Sequence, residues 1–157
     1  MTDIEAGRGG IRLRPMEPAD LPAARALWAA TEGMGMGAGD SPADLEAFLA
    51  RNPGLSVVAV AADGTIAGAV LGGHDGRRGA LYHLAVRRDL RGTGLGRALA
   101  ERCVESLRAT GVGKVNILVF GDNEAGLAFW RHTGWRERPD LRVMQVTFPP
   151  AGVDTGE

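Results

Sequence analysis

The chain predicts an α/β fold, with one mixed (α+β) sheet, largely antiparallel, and helices packed against it. Three observations predict it. Two apolar runs, residues 55–61 and 66–72, meet across Asp63-Gly64, a two-residue hairpin signal. A third run, 80–86, follows one short polar loop, His74 to Gly79, so the three runs read as an antiparallel meander. That third run, an amphipathic stretch over 94–110 and a further apolar run at 115–120 then make a strand–helix–strand unit. The crossover rule turns its two strands into a parallel pair.

Taken in order, residues 1–10 are polar and Gly-rich and are expected to be disordered. One domain is expected over 11–148, with 149–157 a flexible tail. Ile11-Arg12-Leu13-Arg14 alternates apolar and charged residues, as a first strand does. Pro18 to Thr31 reads as a helix with Leu21, Ala24, Leu27 and Trp28 on one face. Glu32 to Asp40 is a loop rich in Gly and Met. Ser41 caps a second helix, with Pro42 in its first turn and Asp44 at the positive end of its dipole, and Pro53-Gly54 stops it. The helix over 94–110 puts Leu95, Leu99, Cys103, Val104 and Leu107 on one side and Arg97, Glu101, Arg102, Glu105 and Arg108 on the other, and Gly111 closes it. Asn123 caps a last helix over 124–133, closed by Gly134. Trp135-Arg136 and Val143 to Phe148 read as final strands.

A chain of 157 residues can bury a real core. With 45% hydrophobic and 24% charged residues and a net charge of −1, it carries no signature of a nucleic-acid or membrane-surface protein. No apolar run approaches a membrane span and no signal-peptide core is present, so a cytoplasmic location is expected. The single Cys103 excludes an internal disulfide and a cysteine metal cluster, and its place in the apolar stripe suits core packing. No metal site is expected.

The chemistry concentrates after the 80–86 run, in Arg91-Gly92-Thr93-Gly94-Leu95-Gly96 at the mouth of the long helix. Glycines there leave backbone N–H groups uncovered and permit the φ > 0 conformations that gather them into an anion cradle, at the positive end of the helix dipole. A P-loop would end in Gly-Lys-Ser/Thr, whereas Gly96 is followed by Arg97-Ala98. A dinucleotide fingerprint would need glycine where Arg97 stands. Arg/Gln-x-x-Gly-x-Gly/Ala does fit, through Arg91, Gly94 and Gly96.

That pattern resembles the coenzyme A pyrophosphate loop of the GNAT superfamily of N-acetyltransferases. A second block agrees: Asn123 to Trp135, with Phe129-Trp130 and Gly134, is similar to the family's Asn-x-x-Ala-x-x-Phe-Tyr-x-x-x-Gly-Phe. The strand order matches the family over residues 11–148, and Gly72 to Gly79 looks like a segment of small bacterial acetyltransferases of poorly defined substrate. The resemblance implies a GNAT-type acyl-CoA N-acyltransferase fold in which the 80–86 and 115–120 strands splay apart to receive acetyl-CoA. It implies that the backbone of Leu84, Ala85 and Val86 pairs with the pantetheine arm. Gly92, Thr93, Gly94, Leu95, Gly96 and Arg97 would hold the pyrophosphate, with Arg91, and Arg87 or Arg88, adding charge. Asn123, Phe129 and Trp130 would border the arm.

The implied reaction is acetyl transfer to an amine of a small molecule or protein, by direct attack in a ternary complex. A backbone N–H near Leu84 or Ala85 would stabilise the oxyanion. The family often takes its base from a strand glutamate, but 115–120 holds no carboxylate. The candidates are Tyr82, His83 and Glu32, with Asp40 nearby in the same loop as Glu32. Histidine ordinarily titrates near neutrality, although one satisfied within the sheet is the plainer reading. Trp130 stands where many relatives carry an acidic tyrosine, and an indole N–H is a poor proton source. Both departures keep a rival alive, a non-catalytic acyl-CoA sensor. The acceptor, the acyl group preferred and the oligomeric state, a homodimer included, are left open.

Overall fold

The computed structural model describes residues 4–5 and 10–149, and the stretches expected to be disordered otherwise lie outside them. The described strands form one sheet in chain order: β1 (Ile4–Glu5), β2 (Arg12–Pro15), β3 (Val57–Val60), β4 (Ile66–His74), β5 (Gly79–Val86) and β6 (Val115–Asn116). Every neighbouring pair is antiparallel except β5 and β6, which run parallel. The helices are α1 (Leu21–Ala29), α2 (Pro42–Arg51), α3 (Leu95–Ala109) and α4 (Glu124–His132).

Side chains alternate across the sheet and split the core in two. Val57 and Ala59 of β3 join the Leu95, Leu99, Cys103 and Leu107 stripe of α3. Val58 and Val60 join Trp28 of α1 and Leu45 and Leu49 of α2 on the other face. α3 lies close to the sheet because β4 presents glycine to it. A Cβ at Gly72 would stand 2.4 Å from the Cys103 sulfur, and one at Gly68 would stand 2.7 Å from Leu99 Cδ1. Cys103 is the core residue its spacing predicts: its thiol donates to the Leu55 carbonyl at 3.2 Å, and burial pushes its pKa up to about 12.

Four expected elements differ. The helix expected from Pro18 begins as a separate 3-10 turn, Pro18–Asp20, with α1 proper starting at Leu21. Pro22 has no N–H to bond the Pro18 carbonyl, so the turn closes through the Leu21 amide instead. Asp20 fixes this corner, taking both guanidinium nitrogens of Arg14 at 2.7 and 2.8 Å and the Glu17 amide at 2.8 Å. At the other end, the strand expected over 115–120 is hydrogen-bonded only at Val115–Asn116, and the strands expected at 135–136 and 143–148 join no ladder among the described residues. β-branched and aromatic patterning measures fitness for a pleated surface and does not supply the partner edge. Here that edge recedes as 117–120 diverge from β5.

Candidate active site

The start of α3 forms one wall. Gly94 is its N-cap residue at φ 88° and offers no side chain to the helix end. The first helical bond runs from the Ala98 amide to the Gly94 carbonyl, so the amides of Leu95, Gly96 and Arg97 have no acceptor within α3. Beyond the adjoining residues, no atom lies within 4 Å of where a Gly92 or Gly94 side chain would begin, so no side chain covers the helix mouth at those two positions. Thr93 turns its hydroxyl back to the Leu90 carbonyl at 2.5 Å. Arg91 leans on the Val86 carbonyl at 3.4 Å, and Arg97 turns away along the helix to Glu101 at 2.8 Å. Leu95 sends its side chain into the core. Val86 and the Phe129 ring close over Gly96, at 3.5 and 3.6 Å from a Cβ placed there.

The sheet opens beside this wall. β5 and β6 are paired at Gly79–Val115 and Ala80–Asn116, and beyond Ala80 that edge of β5 has no ladder partner among the described residues. The opening is a cleft of about 920 Å³, with Tyr82, His83 and Leu84 on one side and Ile117, Val119 and Trp130 on the other. That is the size of a typical small-molecule site. Asn123 also lines it while capping α4, its Oδ1 accepting from the Gly126 amide at 3.0 Å. Trp130 is braced edge-on between Phe129 and Trp135, with both ring centroids at 5.0 Å.

The floor is a β-bulge. Ala69 pairs with Ala85 and Leu71 with Tyr82, so His83 and Leu84 together face the single Val70. His83 takes φ 56°, the only positive φ outside glycine among the described residues. The bulge turns its ring over Trp28, at a centroid distance of 5.3 Å, and toward Asp40, whose Oδ1 lies 2.8 Å from Nε2. Asp40 is itself pinned, since Oδ2 accepts the Gly37 amide at 2.8 Å and the backbone carbonyl accepts Arg25 Nε at 3.2 Å. Both side chains of the pair are largely sequestered, at 17% and 16% exposure. An ionised carboxylate only accepts, so a neutral ring in this geometry would donate through Nε2 and keep Nδ1 as an acceptor.

The other charged candidates lie elsewhere. Glu32 is absent from the cleft lining; it is exposed and ion-paired with Arg88. Arg87 is bound to Asp89 at 2.7 Å, and that hydrogen bond raises the Arg87 pKa and lowers that of Asp89. Sequence reasoning named His83 and Asp40 separately but missed that they meet, because 43 residues separate them and only the bulge aims one at the other. Among the described residues no three His, Cys, Asp or Glu side chains cluster as a metal site, and no helix is long and apolar enough to cross a membrane.

A family model described as the acetyltransferase (GNAT) family matches residues 23–135. An acetyltransferase of Sodalis glossinidius (strain morsitans) is 42% identical over 105 residues, covering 67% of this chain and 73% of that one. An acetyltransferase of GNAT family from Staphylococcus aureus Mu50 superposes with a TM-score of 0.71 at 15% identity, over 85% of this chain and 90% of that one. The PaiA N-acetyltransferase of Thermoplasma acidophilum, solved in complex with coenzyme A, gives 0.68 at 19% identity, over 81% and 90%. At such identities these two structures speak for the fold, the mixed sheet with its one parallel pair.

Proposed function

The chain belongs to the acetyltransferase (GNAT) family, and from that premise we propose that it transfers an acetyl group from acetyl-CoA to a primary amine of a small molecule or protein, in a ternary complex. The observation that carries the reading is the sheet opening just past Ala80, with the glycine start of α3 joined to that cleft through Phe129, which packs between Gly96 and the cleft-lining Trp130. Cytoplasmic residence belongs to the same proposal.

The residues fit the cofactor. Amides without helical acceptors, no Cβ at Gly92 or Gly94, and a positive helix end suit a diphosphate. Acetyl-CoA, when bound, supplies an acetyl group activated as a thioester. The amides of Gly92 to Arg97 would hold its pyrophosphate, with Arg91 adding charge and Arg97 lending its backbone alone. The open edge of β5 at Leu84, Ala85 and Val86 would take the arm as a strand is taken, with Asn123, Phe129 and Trp130 bordering it.

His83 is the base. Its Nδ1 takes the proton that a protonated amine must shed before it can attack, and Asp40 holds the ring in the required tautomer. Tyr82, 43% exposed at the cleft, contacts the acceptor. Glu32, tied to Arg88 outside the lining, has no chemical role in this reading. Holding both reactants in one cleft can remove up to roughly 7–11 kcal/mol of barrier when the reacting atoms are aligned. A base and its orienting carboxylate inside the cleft also weigh against a non-catalytic sensor.

Calorimetry with acetyl-CoA and a thiol-release assay test this. Gly94→Glu is expected to weaken acetyl-CoA binding by about 100-fold or more, through like-charge repulsion at the cradle, at a stability cost of about 1–2 kcal/mol for a side chain at φ 88°, with a thermal melt confirming that the variant is folded. Unchanged affinity in the folded variant overturns the proposal.

A further inference from the structure

We infer that the acceptor is a primary amine on an apolar, ring-sized body, with no carboxylate beside the amine. This inference rests on the acetyl-transfer reading above and adds the class of the second substrate.

The part of the cleft away from the α3 cradle is roofed by the loop between α1 and α2 and floored by β5. Its lining is Met34, Leu45, Phe48 and Tyr82, closed by the Asp40–His83 pair. Phe48 and Tyr82 meet edge to face, at 6.0 Å and 86°, and form an aromatic wall. Asp40 is the sole carboxylate among the residues lining the cleft, and no Lys or Arg is among them. The arginines nearby in sequence are committed: Arg25 donates to the Asp40 carbonyl, and Arg88 is ion-paired with Glu32 on the surface.

The charge pattern selects. An ammonium group enters toward Asp40 and the faces of Phe48 and Tyr82, favoured by the carboxylate and by cation–π attraction. It lies there beside His83, which receives its proton. An amino acid would bring its own carboxylate to within one carbon of that amine. That charge would lose water, meet no cation and face Asp40, and both effects oppose binding. A polyamine would place a second ammonium against Met34 and Leu45, with no second carboxylate in the lining to pair it. The apolar body that remains is what the side chains around it can desolvate.

The test is a matched panel with acetyl-CoA, read as thiol release: phenethylamine, phenylalanine, ethylamine and spermidine. Phenethylamine and phenylalanine differ only by the carboxylate. The expected result is a kcat/KM for phenethylamine about 100-fold above phenylalanine and about tenfold or more above ethylamine. Equal turnover of phenylalanine, or a preference for spermidine, overturns the inference and leaves acetyl transfer standing. No turnover of any amine, with acetyl-CoA binding intact, overturns both. Met34→Lys adds the missing cation and is expected to narrow the phenethylamine-to-phenylalanine gap by about tenfold, with unchanged acetyl-CoA affinity reporting that the fold survives. A gap that does not narrow overturns the inference.

Discussion

Position 83 is predicted to be more stable with glycine than with alanine, the reverse of the usual order within a strand. The backbone there sits at φ 56° in a bulge, a region that costs an L-residue about 1–2 kcal/mol. Glycine escapes that cost but loses about 0.5–1 kcal/mol more chain entropy than alanine on folding. The difference spans about 0–1.5 kcal/mol, and at the middle of both ranges favours His83→Gly over His83→Ala by about 0.75 kcal/mol. Both variants lose the bond to Asp40 and the ring contact with Trp28, so those losses cancel in the comparison. For a chain of this length the gap is about 2–4 °C in Tm per kcal/mol, measured by thermal melts with urea midpoints as a second readout. Turnover behaves differently: both variants lack the imidazole and are expected to fall by about 10²–10⁴-fold. The glycine variant thus regains stability without regaining activity. An alanine variant as stable as the glycine variant would refute a strained bulge, and a glycine variant with native turnover would refute the base.

Three further outcomes are expected. Gly72→Ala puts a methyl 2.4 Å from the Cys103 sulfur and 2.9 Å from the Leu55 carbonyl oxygen, and the overpacking lowers stability in urea by about 1–3 kcal/mol. Burial of the Asp20 carboxyl opposes its ionisation, but the Arg14 guanidinium and the Glu17 amide outweigh it and hold the pKa below the ordinary aspartate value. Its stabilisation is therefore full above the unfolded-state pKa of about 3.9 and is lost as pH falls through the lower folded value. The urea midpoint of Asp20→Asn should accordingly change less between pH 5 and pH 2 than that of the wild type. Cys103, with its thiol pKa pushed up to about 12, should resist a thiol-specific reagent at neutral pH until the protein is unfolded.

What could be read in the sequence was what local pattern controls. The α3 stripe has a 3.6-residue period, Ser41 caps α2 by accepting the Asp44 amide at 3.1 Å, and Asn123 caps α4, each encoded within a few residues. The glycine start of α3 was legible for the same reason, since what distinguishes it is missing side chains and glycine advertises that. The bulge was not legible. Ala80 to Val86 reads as one uniform apolar run, and the extra residue shows only in the register against β4. The Asp40–His83 contact was hidden with it. The C-terminal apolar residues misled in the opposite direction: Val143, Val146 and Phe148 carry strand propensity but are 63%, 77% and 81% exposed. Pairing depends on a neighbouring edge that no window of sequence contains.

The bulge also explains why the site lies where it does. Leu81 and Ala85 are four residues apart and in a regular strand would share a face. They belong instead to opposite halves of the core, Leu81 with α3 and Ala85 with α1 and α2. One inserted residue reverses the alternation: odd-numbered Leu81 faces α3 before the bulge, whereas after it Ala85 faces α1 and α2 while Leu84 and Val86 pack on the α3 side. The residue at the reversal is His83, whose polar ring rests on Trp28 at the margin of the α1–α2 core and reaches Asp40. The opposing loop is anchored to match, because Asp40 immediately precedes the Ser41 cap and its carboxylate is already held by the Gly37 amide. The defect in the sheet and the start of α2 therefore fix the two halves of the pair independently, and the imidazole meets its carboxylate without either side chain having to be ordered by the substrate.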